Sequence, residues 1–301
     1  EQFPFKEWVV GSSPTRLTKF FMINICIVKP KNYIHYLAFL EIAELLHYSI
    51  LELKVKSKIT YNFIELNPEV KNIIFGAHLL NDELINSMPD NTIIFNTEQL
   101  ESITEVWKKR ILFLASKGIE FWDYSKYNLD FLLKKIKIKG KLFEIGFQKN
   151  LQRIKINDIK EFDVLFYGSI NERRERIING LLKKNIKVKC LFGVYGNDRD
   201  ILIGKSKLVL NLHMYESKIF EIVRVFYLLT NGISVVSEVD EDTKFNNNYL
   251  KGIKKSKYND IEKNIINLLE NDEERSLIGQ NGMNIIKKYP QINFTKSILG
   301  L

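Results

Sequence analysis

Phe162-Asp163-Val164-Leu165-Phe166-Tyr167-Gly168-Ser169 is the stretch of sequence that decides the fold. Its first six residues are largely apolar and favour β structure, which predicts a parallel strand that is buried on both faces. Gly168 and Ser169 end that strand, and a helical pattern begins at Asn171, a residue that suits a helix N-cap. Backbone N–H groups at such a turn bind anions, and a glycine lets them approach closely. The stretch therefore predicts a phosphate site.

Strands and helices alternate on both sides of this stretch. In the second half of the chain the pattern predicts strands over residues 186–192, 208–212 and 233–237 and helices over 218–230, 259–269 and 272–288. In the first half it predicts strands over residues 22–28, 50–55, 72–75, 92–95 and 119–122 and helices over 33–47, 103–116 and 127–133. This alternation is typical of doubly wound α/β sheets, whose sites lie at the carboxyl ends of the strands.

The chain divides into segments of different character. Residues 1–21 lack clear periodicity, and because Met22 reads as a natural start we expect them to be a leader that is foreign to the fold. Residues 22–150 then form a first α/β domain, and the polar, charge-rich stretch over residues 145–161 suits a linker. Residues 151–283 form a second α/β domain. A chain of 301 residues is long enough for two such domains, each with its own core.

Two groups of residues carry a resemblance to a known family. The second domain contains Phe220-Glu221-Ile222-Val223-Arg224 followed by Asn231-Gly232, and the first contains Asn96-Thr97-Glu98-Gln99-Leu100 and Trp122-Asp123-Tyr124-Ser125. These residues resemble GT-B glycosyltransferases, in particular the bacterial and viral group of spore-maturation glycosyltransferase-like proteins, over most of residues 22–290. The resemblance implies two Rossmann-like domains that face a cleft, with residues 284–301 as a C-terminal helix that crosses back to the first domain.

The resemblance implies that the second domain binds the nucleotide sugar. A carboxylate near the start of a helix would bind both ribose hydroxyls, since an ionised acceptor makes strong hydrogen bonds, and Glu221 is preferred to Glu216 for this role. Arg173 or Arg174 would stabilise the departing diphosphate, although a solvated first helical turn explains both arginines equally well. The residues predicted to bind the donor are Gly168, Ser169, Arg173, His213, Glu216, Glu221 and Arg224.

Three residues at strand ends of the first domain are candidate catalytic bases: His78, Glu98 and Asp123. An imidazole titrates near working pH and would accept the proton of an acceptor hydroxyl in an inverting reaction. In retaining GT-B enzymes a histidine of the matching loop instead contacts the donor sugar, and a histidine bonded to the backbone is an equally good interpretation. Asp123 and Ser125 also each suit a cap of the following helix. The residues predicted to bind the acceptor or the sugar are Asn96, Tyr124 and Ser125.

The formal net charge of +9 has more than one interpretation. Abundant Ile, Asn and Lys indicate a coding bias toward AT-rich DNA, which accounts for the charge without a function. The densest basic segment, residues 134–141, alternates like an exposed strand edge, where lysines guard against strand pairing. A positive surface would also attract an acidic acceptor or an anionic membrane.

Disulfide and metal chemistry are not indicated by the sequence. Cys26 and Cys190 lie far apart in predicted strands, and the 4 histidines show no zinc-binding spacing. The acidic run Asp240-Glu241-Asp242 suits a solvated loop better than a metal motif at a strand end. We therefore expect no metal and no cofactor, with a nucleotide sugar, a UDP-sugar, as co-substrate.

The resemblance, together with these observations, implies an enzyme, a metal-independent glycosyltransferase that moves a sugar from a nucleoside-diphosphate sugar to the hydroxyl of a glycan or another acceptor. A phage-type DNA glycosyltransferase that acts on hydroxymethylpyrimidine is one alternative, since a charge of +9 fits a duplex. A non-catalytic nucleotide-sugar-binding protein is another. Charged residues interrupt every apolar run before it reaches the length of a membrane span. We expect a cytoplasmic protein without a transmembrane segment, with peripheral membrane contact left open.

Overall fold

The computed structural model describes residues 22–246 and 248–301, so the expected leader over residues 1–21 lies outside the described residues. The first of two sheets is built from β1 (Met22–Ile27), β2 (Lys56–Thr60), β3 (Lys71–Phe75), β4 (Thr92–Asn96), β5 (Glu120–Asp123) and β6 (Lys141–Leu142). These strands are parallel and lie in the order β2-β1-β3-β4-β5-β6.

The second sheet is also parallel. Its strands are β7 (Phe162–Tyr167), β8 (Val188–Leu191), β9 (Ser206–Asn211), β10 (Val235–Glu238) and β11 (Lys254–Ser256). They lie in the order β11-β10-β9-β7-β8, so the chain crosses over from one strand to the next as a doubly wound sheet requires. We call residues 22–151, which contain the first sheet, the first half, and residues 162–286, which contain the second, the second half.

Helices connect the strands and cover the sheets. The α-helices are α1 (Leu40–Glu52), α2 (Asp82–Asn86), α3 (Glu105–Ser116), α4 (Lys126–Ile136), α5 (Glu172–Lys183), α6 (Gly196–Gly204), α7 (Ile222–Thr230), α8 (Ile261–Leu269), α9 (Asp272–Ile286) and α10 (Gln291–Leu299). Short 3₁₀ helices span Ile34–Phe39, Phe63–Glu65, Ala77–Leu79, Lys149–Leu151, Asn248–Gly252 and Tyr258–Asp260.

Both sheets have apolar cores on both faces. In β1, Ile25 and Ile27 pack into one apolar cluster, while Cys26 between them packs into another. In β7, Leu165 faces the first of these clusters and Phe166 faces a third. Strands that are buried on both faces have continuous apolar sequences, which is why the sequence reveals them. The predicted doubly wound α/β class is confirmed.

The predicted strand over residues 50–55 is wrong. Helix α1 continues to Glu52, because Ile50 extends its buried face, and β2 begins only at Lys56. β2 is an edge strand in which only Thr60 is buried. Its sequence therefore lacks the apolar run that marks the inner strands. The apolar residues at the end of α1 led to the prediction of a strand there instead.

The basic segment over residues 134–141 is not a continuous edge strand. Helix α4 includes its first residues up to Ile136, and Lys137 ends the helix with a φ of 60°. Only Lys141 and Leu142 pair with β5, at the edge of the sheet. Ile136 and Ile138 are two residues apart at the end of this helix, and the same spacing is typical of a strand.

Two helices in the second half differ from expectation. The helix predicted over residues 218–230 begins only at Ile222, and Glu221 takes its N-cap position. The sequence did not predict α6, because this helix begins at a glycine in the left-handed region, Gly196, and its first turn is polar.

The last helix returns to the first half of the molecule. Ser49 Oγ of α1 lies 2.7 Å from Thr295 Oγ1 of α10, and both side chains are buried. The backbone N–H of Gly146 donates to the Gln291 side chain at 2.6 Å. The expected crossing of the C-terminal helix is therefore confirmed.

One helical stretch among the described residues, Ile34–Glu52, is long and apolar enough to cross a membrane by length and composition alone. This differs from the sequence-based expectation that no such run exists. In the fold, its residues Ile42, Leu45 and Leu46 are fully or almost fully buried in the core of the first half. Core helices of soluble proteins meet the same criterion.

Candidate functional site

A cavity of about 440 Å³ lies between the two halves of the molecule. Its walls come from the loops that follow β1, β4 and β5 in the first half and β7, β8 and β9 in the second. The carboxyl ends of both sheets thus meet at one cleft, as expected for doubly wound folds. Six of the residues predicted from the sequence line it: Glu98, Tyr124, Gly168, Ser169, Glu221 and Arg224.

The turn between β7 and α5 contains a glycine with a positive φ. Gly168 has a φ of 130°, and a Cβ at this position would lie 2.8 Å from Nη2 of Arg224. A side chain here would push the arginine away from the turn. Asn171 caps α5 by accepting a hydrogen bond from the N–H of Arg174 at 3.0 Å. The turn and the helix start are therefore as predicted.

Two guanidinium groups face the cavity beside this turn. Arg174 is buried and donates to the carbonyl of Ser169 at 2.8 Å. Burial, together with the neighbouring charge of Arg224, lowers the pKa of Arg174 to about 10. Arg224 donates from Nη1 to Asn211 Oδ1 at 3.1 Å and lies 5.1 Å from the centre of the Tyr167 ring. Both guanidinium groups lie beside Gly168, and their two positive charges favour the binding of an anion there.

Arg173 does not line this cavity, although the sequence singled it out beside Arg174. It makes a bidentate ion pair with the fully buried Glu238 and lies 4.0 Å from the centre of the Tyr258 ring. Successive helical residues point about 100° apart, so only one of the two arginines can face the cleft. The start of α5 at Glu172 gives that position to Arg174.

Glu221 presents a carboxylate at the start of α7. Its Oε2 accepts from Asn211 Nδ2 at 3.0 Å, and both of its oxygens lie 3.2 Å from Nδ1 of His213. Burial opposes ionisation, but the hydrogen bond and charge of His213 and the charge of Arg224 outweigh it, so the pKa of Glu221 is below the ordinary value. Glu221 is therefore an ionised acceptor in the cavity wall.

The other two predicted donor residues do not reach the cavity. The His213 ring is buried between Glu221 and Thr243, whose Oγ1 lies 3.2 Å from His213 Nε2. His213 therefore orients Glu221. Glu216 is exposed and lies on an open groove outside the cleft. Of the two candidate carboxylates, the fold brings Glu221 to the cavity.

Glu98 faces these groups from the first half. No residue in the described ranges makes a hydrogen bond to its carboxylate, and burial raises its pKa to about 7. Its backbone is nevertheless fixed, because its carbonyl accepts from Asn96 Nδ2 at 2.9 Å and from Asn128 Nδ2 at 2.7 Å. A carboxylate on a fixed backbone with a pKa near neutral pH is suited to general base catalysis.

Asp123, Asn96 and Ser125 form the scaffold under Glu98 and do not line the cavity. Asp123 is fully buried and accepts from Asn96 Nδ2 at 2.6 Å and from the Ser125 N–H at 2.7 Å. It also accepts from Asn128 at 3.0 Å. Ser125 caps α4, as its capping interpretation predicted. These residues hold the loops, and Tyr124 between them reaches the cavity.

His78 also lies outside the cavity. Burial and the charge of Arg110 lower its pKa to about 4, and its ring centre lies 4.7 Å from that of Trp107. Trp107 lines the cavity and His78 does not. An imidazole with this pKa is a weak base, so the geometry favours Glu98 over both rival candidates.

Sequence reasoning missed an aromatic cluster that joins the halves at the cavity. His35 Nδ1 lies 2.7 Å from Tyr195 Oη, and the His35 ring centre lies 4.7 Å from that of Phe192. His35 follows β1, and Phe192 and Tyr195 follow β8. The expectation that sites lie at the carboxyl ends of strands could therefore have identified them. The sequence contained no signal for the buried ion pair of Arg199 with Glu41, whose atoms lie 2.8 Å apart.

The sequence has relatives of undefined function. No family model matches it. Over 186 residues, or 59% of this chain, it is 28% identical to uncharacterized protein L138 and 27% identical to uncharacterized protein L137 of Acanthamoeba polyphaga mimivirus. The match covers 20% and 24% of those proteins, so the chain spans less than a quarter of their length.

Solved structures show the fold. HepE of Anabaena in complex with UDP and glucose matches over 92% of this chain and 98% of its own, with a TM-score of 0.60 and 11% identity. T4 phage BGT in complex with UDP and Mn²⁺ matches over 93% and 99%, with a TM-score of 0.58 and 11% identity. WaaG, a glycosyltransferase involved in lipopolysaccharide biosynthesis, matches over 92% and 98%, with a TM-score of 0.56 and 9% identity. The expected GT-B fold is confirmed, while the likeness to the spore-maturation group in particular stays a prediction.

Proposed function

We propose that this protein is a glycosyltransferase that moves a sugar from a nucleoside-diphosphate sugar, with uridine as the expected nucleoside, to the hydroxyl of an acceptor. One observation carries the proposal: the cavity sets Arg174, Arg224 and Glu221 of the second half against Glu98 of the first. This reaction needs cationic groups that bind the diphosphate, a carboxylate that accepts hydrogen bonds from the ribose hydroxyls, and a base that removes the proton of the acceptor hydroxyl. The structures of HepE and T4 phage BGT, which have the same fold, contain UDP.

The second half would bind the donor. The diphosphate would lie at the Gly168 turn, where the guanidinium groups of Arg174 and Arg224 offer charge-assisted hydrogen bonds. The ionised Glu221 would accept hydrogen bonds from the two ribose hydroxyls. As the bond between the anomeric carbon and the phosphate oxygen breaks, the electron pair leaves with the diphosphate. The two arginines stabilise that developing charge.

Glu98 would serve the acceptor. Its carboxylate removes the proton of the acceptor hydroxyl while the acceptor oxygen forms a bond to the anomeric carbon. A base placed opposite the leaving group suits a direct displacement, which inverts the configuration at that carbon. The raised pKa of Glu98, about 7, matches a base that works near neutral pH.

We further propose that no metal takes part. In residues 22–246 and 248–301 no group of three or more His, Cys, Asp or Glu side chains is arranged to hold a metal ion. The positive charge that a divalent ion would bring to a diphosphate is supplied here by Arg174 and Arg224. Chelation should therefore leave donor binding unchanged.

A thermal-shift measurement with UDP tests the donor site. A ligand that binds only the folded state raises the melting temperature, and it does so more the tighter it binds and the higher its concentration. We expect UDP to stabilise the wild-type protein and Glu221→Ala to lose that effect. Glu216→Ala is the matched control, because Glu216 lies outside the cleft. An unchanged shift in Glu221→Ala would remove this residue from the site, and no shift in the wild type would remove the donor assignment.

A DNA acceptor is the second candidate. A DNA-modifying β-glucosyltransferase matches this fold with a TM-score of 0.58 and 12% identity, and the net charge of this chain is +9. A protein that contacts phosphates loses duplex affinity steeply as salt rises. Duplex binding with that salt dependence would support this acceptor, and no binding at low salt would exclude it.

A further inference from the structure

We propose that Gln99 and Ser217 form a clamp between the two halves that sets the position of Glu98 against the donor site; this inference rests on the proposed function. The clamp joins the loop that carries Glu98 to the loop that precedes Glu221. Gln99 and Ser217 are positioning residues, since neither is assigned a contact with the reacting atoms.

The clamp consists of two buried hydrogen bonds across the cleft. Ser217 Oγ donates to Gln99 Oε1 at 2.6 Å, and Gln99 Nε2 donates to the carbonyl of Ile219 at 2.9 Å. Because a carbonyl only accepts, the amide nitrogen must face Ile219, and this fixes the orientation of the amide. Gln99 is 6% exposed and Ser217 is 5% exposed, so water cannot replace these partners without opening the cleft.

The two bonded loops carry the two groups that must meet. Glu98 directly precedes Gln99, and Ile219 lies two residues before Glu221. On the side of the first half, Asn96 and Asn128 hold the carbonyl of Glu98 at 2.9 Å and 2.7 Å. The clamp supplies the anchor on the other side. Glu98 is therefore fixed from both halves only while the halves are together.

Two other contacts near the clamp also join the halves, but they differ from it in kind. Lys244 Nζ lies 2.9 Å from Glu101 Oε2, but this ion pair is solvent-exposed and such pairs contribute little. The N–H of Ser217 donates to Ser102 Oγ at 3.2 Å, and Ser102 lies three residues further along the chain from Glu98 than Gln99 does. A buried amide that loses its partners costs more than an exposed pair, so the clamp resists opening.

The effect on Glu98 can be measured directly. Titratable groups that line the same cavity include Tyr33, Tyr124 and Tyr215, whose pKa values are raised above the ordinary tyrosine value, and Glu221, whose pKa is lowered. Glu98 therefore titrates apart from them. A loosened loop lets water reach its carboxylate, and burial is the reason that its pKa stands near 7.

The test compares Gln99→Met with the wild type, using Lys244→Ala as the control that breaks an exposed pair of the same seam. Three quantities are measured: UDP affinity by calorimetry, the steady-state hydrolysis of UDP-glucose to UDP and glucose with water as acceptor, and the titration of the Glu98 carboxyl by carbon NMR. In Gln99→Met we expect unchanged UDP affinity and a kcat about 10- to 100-fold lower, because small misplacements of a base cost this much. We also expect the pKa of Glu98 to move down from about 7. Lys244→Ala should behave as the wild type.

The outcomes separate the clamp from the proposed function. A Gln99→Met protein in which Glu98 titrates as in the wild type overturns the clamp, whatever the kinetics show. A wild type that neither binds UDP nor hydrolyses UDP-glucose overturns the proposed function, and the titration still decides the clamp. If Gln99→Met does not fold, Ser217→Ala, which removes one hydroxyl and one hydrogen bond, takes its place with the same expected directions.

Discussion

Glu98 and Glu221 line one cavity from opposite halves of the molecule, and their surroundings move their pKa values in opposite directions. Burial without a hydrogen-bond partner raises the pKa of Glu98 to about 7. Glu221 is also buried, but His213 and Arg224 more than offset that burial and lower its pKa. Two carboxyl groups with divergent pKa values take different roles, one as a proton acceptor and the other as a fixed anion.

Glu98→Gln tests the base assignment. The amide keeps the size of the side chain but cannot take up a proton, so we expect hydrolysis of UDP-glucose to fall by about 10²- to 10⁴-fold. UDP affinity should be retained, because the donor groups lie in the second half. In the wild type, kcat/KM should rise with pH through about 7, since only the ionised form of Glu98 is active. A variant that keeps both its rate and this pH profile would rule Glu98 out.

The same substitution should increase stability at high pH. The folded protein holds the proton of Glu98 more tightly than the unfolded chain, because its pKa of about 7 lies above the ordinary value. The stabilisation that this proton gives to the folded protein is therefore complete below about pH 4 and is lost as the pH rises through about 7. We expect Glu98→Gln to raise the free energy of unfolding at pH 8 by about 2 kcal/mol, given about 1.4 kcal/mol for each pKa unit and partial exposure of the group. Denaturant unfolding of the wild type and of Glu98→Gln at pH 5 and pH 8 measures this gain. The same difference in free energy of unfolding between the two proteins at both pH values would contradict the prediction.

Gly168→Ala tests the phosphate turn. A side chain at a φ of 130° is strained, and its Cβ would lie 2.8 Å from Nη2 of Arg224. The Cβ would push the Arg224 guanidinium away from the turn, and the loss of one charged partner of the diphosphate should weaken UDP binding about ten-fold or more. Gly118→Ala is the control, because Gly118 also has a positive φ, of 74°, but has open space around it. Calorimetry should show UDP affinity lost in the first variant and kept in the second.

The loops at the strand ends could be predicted because parallel sheets place their sites there, but the sequence did not distinguish Glu98 from Asp123. Asp123 is the last residue of β5 and pairs in register with Asn96 of β4. It is therefore covered by its neighbour strand and becomes part of the scaffold. Glu98 lies two residues beyond the end of β4, where the chain has left the sheet, and its side chain can reach the cleft.

Individual side-chain pairs between the halves could not be predicted from the sequence pattern. The buried pair of Glu41 with Arg199 joins residues that lie 158 positions apart, and the bond of Gln99 with Ser217 spans 118. No periodicity in the sequence relates residues at such separations. These pairs depend on how the two sheets pack against each other, so the sequence predicted the two sheets but not the side-chain pairs between them.

Arg224→Gln tests whether the arginines replace a metal. The guanidinium faces the cavity beside the Gly168 turn, and removing one charged partner of an enclosed phosphate costs about 2 kcal/mol or more. We therefore expect UDP affinity to fall by roughly 30-fold. Arg176→Gln is the control, because Arg176 is exposed on the following part of α5 and lies outside the cavity. Calorimetry with and without EDTA should give the same affinity for the wild type, since the positive charge at the diphosphate is part of the chain. Binding that disappears with EDTA, or that survives Arg224→Gln unchanged, would contradict this account of the donor site.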